Sequence, residues 1–311
     1  MSNSLSIVVL NWNGREFLEK CIPSLTRAVK ACPRGVQIIV VDNGSSDDSL
    51  EYLRGSFPNI RLIALEKNLE FAPAMNIGFR QAQGDVIIGL NNDVVVEEDF
   101  ISPLIRHFDG AKDIFAVSAK MLLWDKKTLN FGRAVGNFNW GFFRRKFEEP
   151  IGATNALYAC AGAFAVRKDR FLELGGFDED MLAFWEDLDL CYRAWKQGYR
   201  TVYEPQSIVY HKFHGSYLKR CTEGNIRAIS GENYFLFVVK NIHDKTFFLG
   251  QLFFLPLLML VSVLAGKAHF AQGLLRSLRR WPEFWQKRSQ ERRKAVFSDR
   301  QVLGSSASNL V

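Results

Sequence analysis

The chain has 311 residues, long enough for one large α/β domain with additions or for two average domains. With 48% hydrophobic and 23% charged residues it can build a packed core, and its 23 glycines and 9 prolines exclude collagen-like and low-complexity classes. The formal net charge of +7 belongs to the tail: ten Lys/Arg stand against three Asp/Glu from Lys267 onward, and the first 266 residues hold 30 of each sign.

Ser6–Leu10 (SIVVL) is a β-branched apolar run ended by Asn11, Trp12, Asn13 and Gly14, and it predicts a buried strand and a turn. No basic region precedes it, so no secretory signal is expected. Glu16 to Ala31 has helical periodicity. Gln37–Val41 predicts a second buried strand, ended by Asp42, and Ile60–Leu65 a third. Ala72 to Ala82 is helical, and Asp85–Leu90 is a fourth strand ended by Asn91, Asn92 and Asp93. Apolar strands alternating with helices predict an α/β fold with a mainly parallel sheet covered on both faces. Ligands of such sheets sit beyond the carboxyl ends of the strands, where Trp12, Asp42 and Asp93 fall.

The second half is less regular. Ile114–Met121 and Ala159–Val166 read as strands, and Trp124 to Glu149 as a long loop or a small hairpin. Phe184 to Gly198 is an amphipathic helix with Glu186 and Asp187 in its first turn, and Asp189 and Arg193 are spaced to pair on its surface. Thr201–Tyr203 and Ile208–Tyr210 are short strands before His211. The five cysteines form no C-x-x-C pair, which argues for a reducing compartment.

Four constellations carry chemistry. Asp42, directly after a strand, can accept a hydrogen bond from a nucleotide base; the alternative is an Asx-turn. Asp93, beside two amides, suits a hard divalent cation carrying a diphosphate; the alternative is a polar turn. Glu186 and Asp187 follow an aromatic approach, GGFDEDMLAFW, that is a poor solvated face, and an acid there can act as a general base. His211, with His214 behind it, is a candidate metal ligand or an ordinary surface histidine.

Seven segments in order, IVVLNWNG, IIVVDNGSSDDS, EKNLEFAPAMNIGF, GDVIIGLNNDVVV, CAGAFAVRKDRFLELGGFDED, WEDLDLCYRAWKQGYR and VYHKFHGS, resemble the inverting glycosyltransferases of family 2. Within that family the chain looks most like the rhamnosyltransferase-like branch of bacterial polysaccharide synthesis. The resemblance covers Ser6 to about Tyr217 and implies a GT-A fold with a Rossmann-like nucleotide half. It implies that Asp42 and Trp12 hold the base of a dTDP- or UDP-sugar, that Asn68, Asn76, Asn91 and Asn92 line the nucleotide side, and that Asp93 and His211 hold Mn2+ or Mg2+. Asp187 would be the base and Glu186 its helper. The acceptor would be a saccharide of polyprenyl-linked type, with no nucleic-acid partner. One departure is Glu70, where relatives carry Gly; if that position needs a positive φ, Glu is costly there.

The expected organisation is a transferase domain over 1–240, with a nucleotide half to 95 and an acceptor half beyond it. Membrane-associated helices follow over 241–297, then a disordered tail over 298–311. Thr246 to Gly266 carries no charge and is close to the length that spans a bilayer. The basic tail behind it opposes a single crossing and Pro256 interrupts the run, so a re-entrant or in-plane element at the cytoplasmic face of the membrane is favoured. Phe270, Leu274, Leu278, Trp281 and Trp285 then predict a basic interfacial helix interrupted at Pro282. The rival reading of the whole chain is a non-catalytic sugar-nucleotide-binding or scaffold protein on the same fold.

Overall fold

The computed structural model describes residues 4–181, 183–212, 222–264, 266 and 268–309. The four apolar runs form β1 (Leu5–Asn11), β2 (Val36–Asp42), β3 (Arg61–Ala64) and β4 (Val86–Asn91). They lie side by side in the order β4-β1-β2-β3, every pair parallel. Between them run α1 (Arg15–Ala31), α2 (Ser49–Ser56) and α3 (Phe71–Gln81). Parallel pairing with helical crossovers brings Trp12, Asp42 and Asn91 to one edge of the sheet.

The second half continues the same sheet. It comprises β5 (Val94–Val96), α4 (Ile101–Ile105), β6 (Ile114–Leu123), β7 (Leu129–Phe131), β8 (Arg133–Asn139), β9 (Phe142–Glu148), β10 (Thr154–Asn155), β11 (Ala163–Arg167), α5 (Lys168–Glu173), α6 (Glu186–Lys196) and β12 (Arg200–His211). β11 is antiparallel to both β4 and β6, so the parallel nucleotide half continues into a mixed sheet. Periodicity marks a strand but carries no information on its direction. The two short strands expected near His211 are one strand, β12, with a register shift between Glu204 and Ile208 where Pro205 sits. Trp124–Glu149 resolves into β7 and the hairpin β8–β9.

Five helices close the chain: α7 (Glu223–Asn241), α8 (Lys245–Leu264), α9 (Ala268–Leu278), α10 (Trp281–Lys294) and α11 (Asp299–Ala307). The expected disordered tail is therefore corrected. Ser298 closes a capping box with Gln301, and Asp299 is buried against Lys196 (2.8 Å), the Tyr192 hydroxyl (2.8 Å) and the His243 amide (2.7 Å). The free interfacial helix is corrected too. Pro282 opens α10 in its first turn, where a missing N–H costs nothing. Lys287 bonds Asp178 (2.6 Å), and Arg288 donates to the carbonyls of Val239 and Ile242, so α10 docks on α7. α8 runs unbroken through Pro256.

α8 is inside-out. Its buried residues are Gln251 and Ser262, whereas Phe253 and Leu264 are each 77% exposed and Leu257, Leu260, Val261 and Val263 are exposed with them. Among the described residues it is the one helix long and apolar enough to cross a membrane, with a mean hydropathy of 2.3 over its most apolar stretch. Its first turns are seated: Phe247 stacks on Phe138 (4.2 Å) and Gly250 meets the backbone of Gly141 at the hairpin tip.

Candidate active site

A cavity of about 880 Å³ opens beyond the carboxyl ends of the strands. Trp12, Asn68, Asn91, Asn92, Asp93, His211, Glu186 and Asp187 all line it, so eight of the ten site residues read from the sequence converge there. The chain ends of β1, β4 and β12 and the start of α6 deliver them. Gly14 lets the first two approach, since a Cβ there would fall 1.9 Å from Asn92 Nδ2 and 2.7 Å from Asn11 Oδ1.

Asp42 and Asn76 are not among the residues that line the cavity. The Asp42 carboxylate is fully buried and engaged: it accepts from Asn11 Nδ2 (2.8 Å), Ser45 Oγ (2.7 Å) and the Ser45 amide (2.9 Å). It is an Asx-turn behind Trp12. Asn76 is fully buried and clamps the turn after α5, donating to Phe177 O (3.0 Å) and accepting from Phe177 N (3.0 Å).

Asp93 lies 3.3 Å from His211 Nε2, and His211 Nδ1 is 2.9 Å from Asn130 Oδ1. Asp93 Oδ1 is buried and makes no hydrogen bond among the described residues. A buried carboxylate oxygen without a hydrogen bond is costly unless something else satisfies it, and with an imidazole beside it the donor set fits a divalent cation. Among the described residues no group of three or more His, Cys, Asp or Glu converges, so Asp93 and His211 are the whole protein contribution seen. His214 lies outside the described residues.

The carboxylate pair sits behind a strained turn. Phe184 (φ 65°) and Trp185 (φ 73°) are both left-handed, and α6 begins immediately after them. Side chains from α7 hold the turn. Asn233 Nδ2 donates to Ala183 O (2.7 Å) and Phe184 O (2.9 Å), and Trp185 Nε1 donates to Ser230 Oγ (3.0 Å). Asp187 accepts from the Leu188 amide (2.7 Å) and, at longer range, from Ala161 N (3.5 Å). Burial raises its pKa and the nearby Arg145 guanidinium works against that rise. Glu186 is pushed well above the usual carboxylate range by burial and then by Asp187, and its Oε2 has no hydrogen-bond partner among the described residues. Burial and mutual repulsion thus raise both members of the pair, Glu186 further than Asp187, on which Arg145 acts in the opposite sense.

Two kinds of site residue were not legible in the sequence. Arg145, from β9, bonds the Tyr158 hydroxyl (2.9 Å) and lies 4.6 Å over the Trp185 ring. It falls in the segment left between loop and hairpin. α7 and α9 contribute Ile226, Arg227, Ser230, His269 and Phe270 from sequence read as domain edge and membrane helix. The Asp189–Arg193 pair does form (2.8 Å), but it is buried, not superficial, because Lys240 and Asn241 of α7 close over Asp189.

Similarity to known proteins identifies the class. In solved structures the fold matches GalNAc-T7 with UDP, GalNAc and Mn2+ (TM-score 0.63, 20% identity, 78% of this chain and 49% of that one). It also matches a mannosyltransferase from Pyrobaculum calidifontis in complex with GDP-Man and Mn2+ (TM-score 0.57, 14% identity, 94% and 86%). The fold is GT-A. Residues 6–175 match the family model for glycosyl transferase family 2, and the chain belongs to that family. It is 26% identical over 249 residues to the N-acetylglucosaminyl-diphospho-decaprenol L-rhamnosyltransferase of Mycobacterium tuberculosis, covering 70% of this chain and 78% of the relative. It is 25% identical over 182 residues to the poly-beta-1,6-N-acetyl-D-glucosamine synthase of Staphylococcus aureus, covering 55% of this chain and 42% of that enzyme.

Proposed function

We propose that the protein is an inverting sugar transferase of cell-surface polysaccharide synthesis. It moves a sugar, L-rhamnose by analogy with the mycobacterial relative, from a dTDP- or UDP-linked donor to a hydroxyl of a polyprenyl-linked saccharide at the cytoplasmic face of the membrane. The observation that carries the reading is one cavity holding both the Asp93–His211 pair and the Glu186–Asp187 pair. Its membrane side rests on the exposed apolar face of α8 and on the diphospho-decaprenol in the relative's name.

Trp12 offers a ring face to the base, and Asn68, Asn91 and Asn92 offer amides to the nucleotide. Asp93 and His211 would hold Mn2+ or Mg2+, which neutralises charge building on the leaving diphosphate. Asp187 takes the proton of the acceptor hydroxyl as that oxygen bonds to C1. The bond from C1 to the diphosphate oxygen breaks on the opposite face, and the anomeric centre inverts. Glu186, held protonated, donates to the acceptor and orients it.

The test compares Asp187→Asn and Glu186→Gln in donor affinity and transfer rate. Asp187→Asn keeps the side chain's size and removes its basicity, so transfer falls by roughly 10²–10⁴ with donor affinity little changed. Glu186→Gln costs less. Parent-rate transfer by Asp187→Asn overturns the assignment, and a dead Glu186→Gln exchanges the two roles.

A further inference from the structure

We propose that the outer part of the cavity, between α7 and α9, is a subsite for the phosphate linkage of a lipid-linked acceptor, with Arg227 as its cation and the His269 imidazole as a hydrogen-bond donor. The proposal rests on the transfer reading above and adds where the acceptor's charge and tail go. α7 and α9 lie beyond the family-model match, and they cross backbone to backbone: a Cβ on Gly273 would stand 2.7 Å from the Gly231 carbonyl carbon. That crossing lets Arg227 and Ile226 of one helix and His269 and Phe270 of the other face the same cavity.

Charge and spacing assign the ligand. Near the reacting centre Arg145 is already engaged by the Tyr158 hydroxyl, the Trp185 ring and the Asp187 charge, which leaves the outer helices to meet a second anion. Ser230 touches Trp185, next to the carboxylate pair, and Arg227 precedes it by three residues. That is close to one helical turn, or about 5 Å of rise. An acceptor that reaches from the carboxylate pair toward the outer part of the cavity passes the side of α7 that carries Arg227. The present partner of Arg227 is Glu223 at 3.1 Å, with both side chains solvent-exposed (60% and 74%). Such a pair is weak and readily exchanged, whereas a diphosphate offers the guanidinium charge-assisted bonds in pairs.

The tail has a path as well. Ile226 and Phe270 adjoin Arg227 and His269 in sequence and line the same cavity, and only a short link in sequence joins His269 to Leu264 at the end of the exposed apolar face of α8. A ligand with a sugar head, an anionic link and a hydrocarbon tail meets a matching surface at each part.

The experiment uses the full chain in neutral detergent with two acceptors, N-acetylglucosaminyl diphosphate of a short prenol and the matching prenyl glycoside without phosphate. The parent favours the diphosphate acceptor in kcat/KM. Arg227→Ala and His269→Ala lower that preference by about tenfold or more, and Arg227→Lys restores most of it. The KM for the nucleotide-sugar donor is the control for a general loss. Equal losses on both acceptors overturn the subsite. A loss seen only on anionic vesicles, and absent in detergent, assigns the two side chains to bilayer headgroups instead and also overturns it. If the parent binds donor but glycosylates neither acceptor, the acceptor reading under the proposed function fails first and takes the subsite with it.

Discussion

Glu70 stands at φ 69°, ψ −177°, a region that glycine alone occupies freely. It is held there by neighbours: Asn68 Oδ1 accepts from the Glu70 amide (2.7 Å), and Asn43 Nδ2 donates to the Glu70 carbonyl (3.0 Å). The conformation costs of order 1–3 kcal/mol, and a glycine returns part of that gain as unfolded-chain entropy. Glu70→Gly is therefore expected to stabilise the protein by about 1 kcal/mol in denaturant melts, and Glu70→Ala, which keeps a Cβ, is not. A less stable Glu70→Gly would show that the side chain's contacts outweigh the strain. At Arg145 the expected effect is on pH. Asp187 works as a carboxylate, and that form is lost as pH falls through its raised pKa. Arg145 restrains the rise, so Arg145→Gln raises the pKa further and moves the acid limb of the kcat profile to higher pH. The limb belongs to the Glu186–Asp187 pair as a unit. An unmoved limb would mean that Arg145 does not act on the pair.

α7 is the element that holds the turn in front of Glu186 and Asp187. Two successive left-handed residues with side chains cost roughly 1–2 kcal/mol each, and something must offset that. Asn233 does so with two hydrogen bonds from one buried amide. Asn233→Leu keeps the volume and removes the donors. It is expected to lower kcat by at least about tenfold, or 1.4 kcal/mol, with the donor KM steady. A change confined to donor KM would point to the nucleotide side instead. The same helix supplies Lys240 and Asn241 to Asp189, so the start and middle of α6 are both fixed by α7.

At the scale of the whole molecule, the C-terminal helices belong to the transferase body. Arg133 of β8 donates to the carbonyls of Ala307 (2.6 Å) and Ser308 (3.0 Å), satisfying the end of α11. Asp299 gathers Lys196, Tyr192 and the start of α8 around one buried carboxylate. Asp299→Ala leaves the Lys196 ammonium buried and unpaired, a loss of about 3–5 kcal/mol expected in melts. Truncation before Phe247 would remove these contacts with the anchor, so membrane binding is better tested by charged substitutions on the exposed face of α8. Part of the tail's charge is spent inside the fold by Lys287, Arg288 and Arg280, and Arg276, Arg279, Arg292, Arg293 and Lys294 remain exposed.

The sequence by itself determined the parallel nucleotide half and the position of the site at its strand ends. Continuous β-branched runs bounded by polar turns have one stable arrangement, and Trp12, Asn91, Asp93 and His211 sit where those runs stop. Glu186 and Asp187 were legible because an acidic pair after an aromatic stretch is a poor solvated face. Tertiary structure alone decided the direction of β11, which periodicity does not encode. It also decided that Asp42 and Asn76 lie behind the wall, since whether a polar side chain is spent on its own backbone depends on which turns fold beside it. It turned α10 and α11 from membrane and tail into packed helices, because their basic and polar residues found carboxylates and carbonyls from distant parts of the chain. The part of the cavity wall formed by α7 and α9 depends on a contact between Gly231 and Gly273, a backbone crossing that only the assembled fold brings about.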